Sequence, residues 1–204
     1  PAISEFLLLL SPGGWGFAIA NVIASALVGF LIFLVIRTIV EPNYLMPTFL
    51  IVITISGLTI TKSAGTVYIC STIFQPSTLG ALGFLAGIYF FIQERYLLSG
   101  LCLALGGINH ANYLMLSFPT FGLAHLFLGK KQLFTRLLLQ FTLMIAAVIP
   151  FLPLMLQIAN SPDAALANHI YVDIRLPHHH NPAWFWQSLV AFGVIVSICL
   201  FAGW

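Results

Sequence analysis

Charge is what this chain has least of: acidic and basic residues make up 6% of its 204 positions, five acids against seven bases. The bases are scattered between apolar runs and form no patch or stripe, which argues against a nucleic-acid partner. Cysteine is scarce too. Cys70, Cys102 and Cys199 lie inside apolar segments at no metal-like or disulfide-like spacing, and they read as small buried hydrophobes. His-Glu-x-x-His, P-loop and Gly-x-Ser-x-Gly arrangements are all missing, which counts against the commonest hydrolase and nucleotide sites. No Asp-x-Asp pair occurs, and Glu5 is the one acid near the start. A basic segment preceding a short apolar run, as in a signal peptide, is not visible. With Pro1 at one end and an apolar run reaching Trp204 at the other, the chain reads as a fragment cut at both ends.

What fills the sequence is hydrocarbon. The hydrophobic fraction is 60% and the mean hydropathy is +1.05, far above the soluble mixture. Apolar runs approach or exceed the roughly 18 residues that span a bilayer, and they do not alternate in polarity as barrel strands do. The expected class is therefore all-α. A polytopic helical membrane protein follows, with about seven membrane helices in a single transmembrane domain over residues 1–204. Spans are expected at 17–36, 45–60, 76–92, 97–108, 114–128 and 133–158, with a last one from about Trp184. The second is so rich in Ile and Thr that it would suggest a strand in water, but a lone strand in lipid leaves its backbone unpaired. Residues 63–75 suggest a short interfacial helix, and Ser77 a cap for the span that Pro76 opens. The segments 97–108 and 114–128 would be only about 18 to 23 Å long, so their Asn109–Tyr113 turn is expected below the membrane surface. Pro150 and Pro153 should kink the longest span.

Basic residues orient the chain. If each span crosses once, Arg37, Arg95, Lys130, Lys131 and Arg136 fall on one face, and Lys62 and Arg175 on the other. The first face is then cytoplasmic. Glu5, Gln75, the Asn109–Tyr113 turn and the connection 160–182 fall together on the extracytoplasmic side, although none of them entered the count. The cluster Lys130, Lys131 and Arg136 is explained by topology and anionic lipid.

The connection 160–182 holds the densest polar chemistry: Asp173, Arg175 and the run His178, His179, His180 between Pro177 and Pro182. Imidazoles near neutral pH bind metal, exchange protons or, as cations, pair with phosphate. Arg175 offers a planar fork for phosphate or carboxylate, and Asp173 could act as a base or orient a histidine. Against this stands a plainer reading, in which Asp173 pairs with Arg175 and the histidines are solvated. Consecutive histidines give one tetrahedral ion at most two ligands, so a divalent metal stays an open possibility without an assigned site. His110, with Asn109, is a second candidate, equally read as a group that satisfies helix-end carbonyls. His125 reads as a satisfied interior histidine, His169 stays unassigned, and Trp184 and Trp186 read as interfacial anchors.

Several segments taken together resemble a known family. Phe74-Gln-Pro-Ser-Thr-Leu-Gly80, the Glu94-Arg95-Tyr96 turn, Leu101-Cys-Leu-Ala-Leu-Gly-Gly-Ile-Asn-His110 and Pro119-Thr-Phe-Gly122 are similar to the middle of GT-C-type integral membrane glycosyltransferases. The nearer likeness is to poorly characterised bacterial relatives with an Arg-x-Pro-His-His segment in a late extracytoplasmic loop, here Arg175-Leu-Pro-His-His179. The resemblance runs from about Phe74 to Trp186. It implies a bacterial inner-membrane enzyme that takes sugar from a polyprenyl-phosphate-linked donor at the extracytoplasmic face. Such enzymes carry an acid in their first extracytoplasmic loop, which this chain does not show. The expected substrate-binding residues are Arg175, His178, His179, Asp173, His110 and Asn109, with the catalytic residue unassigned and membrane lipid as the other partner. Two rivals stay open: a transporter or flippase with a histidine-lined proton or ion path, and a noncatalytic or metal-binding membrane subunit.

Overall fold

A segment crowded with β-branched and aromatic residues can satisfy its backbone without a partner strand only by coiling. In the computed structural model, which describes residues 15–58, 74, 76–128 and 133–170, every element is helical. In chain order these are α1 (Trp15–Ile39), α2 (Pro42–Leu58), α3 (Pro76–Ile92), α4 (Tyr96–Asn109), α5 (Ala111–Leu128) and α6 (Leu133–Val148). A 3-10 turn at Ile149–Phe151 is followed by α7 (Leu152–Ala159) and α8 (Ala164–His169). The Ile- and Thr-rich segment is indeed the helix α2, with Pro42 at its first position, where no backbone donor is lost, and Pro47 one turn further in.

Three boundaries differ from expectation. The turn anticipated over Asn109–Tyr113 contracts to His110 alone, because Asn109 finishes α4 and Ala111 already starts α5. Short polar side chains tolerate first and last helical turns, where backbone groups lack helical partners anyway. As a result α5 has 18 residues, about 27 Å at the helical rise. Ser77 does not cap α3; it is its second residue and is buried. The connection after Ala159 is not all loop, since α8 lies within it. Of the two prolines expected to disturb the longest span, Pro150 lies in the 3-10 turn, and Pro153 is the second residue of α7. The expected interfacial helix and the last span fall outside the described residues, apart from Phe74, which is not helical.

Two stretches, Trp15–Ile39 and Phe134–Ala159, are long and apolar enough to cross a membrane. The chain divides into two compact units, the first containing α1 to α6 except the last residues of α2, and the second α7 and α8. Within the first unit, α1 turns Ala24, Val28, Ile32 and Ile36 inward at four-residue spacing, against Leu85 of α3 and Phe49, Val52 and Ile53 of α2. Its other side, including Ile19, Val22, Ile23 and Phe30, is exposed and equally apolar. A helix hydrophobic all round needs a nonaqueous neighbour on every side.

The centre of this unit is α4, which packs on α3, α5 and α6. Against α3 and α6 it makes close backbone contacts at glycines. A Cβ at Gly83 of α3 would stand 2.5 Å from the Cys102 carbonyl oxygen and 2.6 Å from the Gly106 Cα. On the α6 side, a Cβ at Gly100 would collide with the Gln140 carbonyl. Small residues at such crossings let dispersion and weak polar contacts hold helices where lipid removes the hydrophobic drive. A second core of Leu103, Leu114, Phe121 and Met144 joins α4, α5 and α6, flanked by Phe84, Phe91, Phe118 and Phe141.

Gly100→Leu is expected to destabilise the protein by about 2 kcal/mol or more, the scale of forced overpacking, in a denaturant titration in detergent. Gly29→Ala, where a Cβ meets nothing within 4 Å, should instead be neutral or stabilising by up to about 1 kcal/mol.

Candidate functional site

Two groups of polar side chains stand at the two ends of α4 in this apolar unit. At the end where α4 begins, α3 closes with a Schellman turn: Arg95 N–H bonds the Phe90 carbonyl at 2.9 Å and Glu94 N–H bonds that of Phe91 at 2.9 Å. The left-handed position usually given to glycine is held by Glu94, with φ of 58°. Its carboxylate faces the Arg136 guanidinium at 3.9 Å. Arg136 also donates to the Tyr96 hydroxyl at 3.1 Å and lies over the Tyr96 ring, 5.2 Å from its centroid.

Beneath that pair runs a buried chain of hydrogen bonds through four helices. Gln140 Nε2 of α6 donates to Ser99 Oγ of α4 at 2.9 Å, and Ser99 Oγ donates to the Gly87 carbonyl of α3 at 2.7 Å. With its amide nitrogen so committed, Gln140 offers Oε1 to His125 Nε2 of α5 at 2.7 Å. The direction of the chain therefore makes Nε2 the protonated nitrogen of His125. Its ring sits among Phe91, Tyr96 and Phe141. Ser99 and Gln140 have no exposed surface, and His125 has 2%. This is the satisfied interior histidine expected from sequence. Its partners Ser99 and Gln140 were not singled out, although each is a lone polar residue in an apolar run, which is the available signal.

The other end of α4 carries Asn109 and His110. Asn109 Nδ2 donates to the Leu105 carbonyl at 2.8 Å, so this side chain does satisfy a helix-end carbonyl. It also closes one end of an open groove of about 430 Å³ between α1, α3 and α4. The walls are Leu27, Phe30 and Leu31 of α1, Leu79, Leu82 and Ala86 of α3, and Cys102 and Leu105 of α4. That volume lies within the range of ligand pockets, roughly 300–1,000 Å³. Cys102 is half-buried there as a free thiol.

His110 does not line the groove. It stands between the two helices in extended backbone, φ −152° and ψ 100°, with its ring against Tyr113 at 5.6 Å. Its Nδ1 is buried without a hydrogen-bond partner. Burial pushes the imidazole below the usual histidine range, and contact with its own backbone pulls the other way.

Of the six sequence candidates the structure describes two, Asn109, which lines the groove, and its chain neighbour His110, which does not. The other four, Asp173, Arg175, His178 and His179, lie outside the described residues, as do His180, Trp184 and Trp186. Among the described residues no group of three or more His, Cys, Asp or Glu side chains is placed to hold a metal ion. Comparison with known proteins finds no matching family model, no matching curated protein and no matching solved structure.

Two substitutions probe the buried chain. His125→Leu leaves the Gln140 carbonyl oxygen without its donor and should cost about 1–3 kcal/mol in denaturant stability. Adding Gln140→Leu should cost less than the two single effects combined, because the orphaned acceptor goes too.

Proposed function

We propose that this is a polytopic helical membrane protein of GT-C-like activity, which transfers a sugar from a polyprenyl-phosphate-linked donor at the extracytoplasmic face. One observation carries the reading: an apolar groove that ends in the Asn109 amide, with a buried and unpaired imidazole nitrogen on the next residue. A long hydrocarbon chain with a polar head needs that combination, and a water-soluble substrate does not. The membrane setting is supported by the two long apolar helices and by apolar side chains on the outward faces of α1, α4, α5 and α6.

In this reading the groove takes hydrocarbon next to the head, and Asn109 and His110 meet uncharged or hydrogen-bonding parts of the ligand. Breaking the bond between sugar and phosphate leaves negative charge on the departing lipid phosphate. Burial disfavours the cationic form of His110 that would balance that charge. Arg175, with His178 and His179, is assigned to it, since a preset cation at the leaving oxygen lowers the barrier electrostatically. Asp173 keeps the role of orienting that cluster. The acid or base that activates the acceptor is not assigned to any residue of this chain.

A histidine-lined proton path draws no support from the buried chain around His125. A proton passed along it would have to cross the Gln140 amide and would end on the Gly87 carbonyl, which leads nowhere.

The test is transfer from a radiolabelled polyprenyl-phosphate sugar by the purified chain in liposomes. Arg175→Ala should lower turnover by about 100-fold or more, the usual effect of removing one preset electrostatic contact. Gly29→Ala should leave it unchanged. Equal turnover in Arg175→Ala and the parent chain, with equal membrane insertion, would remove the proposal.

A further inference from the structure

The groove follows the seam between α3 and α4. Its α4 wall, Cys102, Leu105, Gly106 and Asn109, is one helical face at spacings of three and four residues. Gly106 meets Gly83 where the helices touch: a Cβ on Gly106 would stand 3.0 Å from the Gly83 Cα. From Cys102 to Asn109 is two turns, about 10 Å at the helical rise, so one extended ligand touches both. Leu27, Phe30 and Leu105 line the groove and are themselves exposed, so it opens onto apolar surface, as entry from a bilayer requires. His110 does not share this face; its ring rests on Tyr113 above Gly80, where a Cβ would stand 3.0 Å from the His110 Cβ.

Apart from the Cys102 thiol, Asn109 is the one polar side chain in that lining, and no residue of the lining is charged. A carbonyl can be met only by the nitrogen of an amide, so the bond to Leu105 at 2.8 Å fixes which end of the Asn109 side chain is which. One N–H and Oδ1 are left over, a donor and an acceptor side by side, with no partner among the described residues. A phosphate offers acceptors and charge; it gains nothing from Oδ1 and finds no cation here. A hydroxyl donates and accepts at once, and it matches both groups. We propose that Asn109 is a specificity-determining residue, whose amide takes a hydroxyl of the sugar while hydrocarbon of the same ligand lies over Cys102. This rests on the lipid-linked reading above for the identity of that ligand, and it leaves the phosphate to the Arg175 segment.

Alkylation of Cys102 by N-ethylmaleimide, followed by peptide mapping of the full chain in nanodiscs, reports occupancy of the groove without requiring turnover. The probes are the sugar-linked polyprenyl phosphate, its sugar-free counterpart, and sugar-linked lipids that lack one sugar hydroxyl at a time. The complete lipid is expected to slow alkylation at least several-fold. Asn109→Leu should weaken its apparent affinity about tenfold, the loss of one or two hydrogen bonds, and leave that of the sugar-free lipid within about twofold. One deoxy lipid should bind the parent chain as weakly as the complete lipid binds Asn109→Leu, and the variant should not tell the two apart. A merely structural role for Asn109 would not produce that match.

An equal loss for both lipids in Asn109→Leu places the contact on phosphate and overturns the inference. A folded variant that binds the complete lipid as the parent does overturns it too. If Asn109→Leu does not fold, Asn109→Ala decides in the same way. A parent chain that transfers sugar while Cys102 stays unprotected also overturns the inference, and the transferase reading survives. Hydroxyl-dependent protection in a parent chain that transfers nothing, lost in the Asn109 variants, upholds the inference and sinks the transferase reading.

Discussion

The close approach of α4 to α3 at Gly83 and to α6 at Gly100 is the constraint on which the first unit depends. Gly83 lies on the backbone of α4, and Gly100 lies under the Gln140 carbonyl of α6. At that separation a serine and a glutamine can reach from helix to helix, which is why Ser99, Gln140 and the Gly87 carbonyl form one chain of bonds. With larger residues at the crossings, the same polar groups would be buried out of reach of each other, each at a cost of about 1–3 kcal/mol. Close packing and polar pairing are thus a single condition met twice.

That condition also shapes the groove. Where α3 and α4 touch through glycine, Ala86, Cys102 and Leu105 leave space that α1 does not fill, because it packs on α3 and α2 through another stripe of its surface. A hollow bounded by hydrocarbon and opening among exposed apolar faces has no reason to hold water, since water needs two or more polar partners to stay. Asn109 is the exception at its end, and one hydrogen of its amide is already bound to Leu105.

Much of the helix pattern was legible in the sequence because apolar runs long enough to span leave few alternatives. Despite its Ile and Thr content α2 is a helix, the form in which a lone apolar segment pairs its own backbone. What failed was local. Five residues from Asn109 to Tyr113 look polar enough for a loop, but helix ends accept polar side chains, and only His110 leaves helical backbone. Ser77 has the side chain of a cap, but Pro76 already stands in the first helical position, which puts Ser77 inside the helix and not before it. The glycine contacts could not be read from a single sequence, since spacing does not tell which helix approaches which. The strip from Asp173 to His180 was the clearest chemical signal in the chain, and it lies beyond the described residues.

Two histidines within one unit show why residue type alone does not locate function. His125 has 2% exposure, an amide partner at 2.7 Å and an aromatic surround, so the hydrogen bond from Nε2 is satisfied by the fold itself. His110 is less buried overall, yet its Nδ1 is sealed from solvent with nothing to bond. A fold that spends a glutamine and a serine on settling one imidazole, and a glycine and a tyrosine on fixing another with a nitrogen unpaired, treats the two differently. Stability accounts for the first arrangement. It does not account for the second, since an apolar side chain at position 110 would fill the same seat without an unpaired nitrogen.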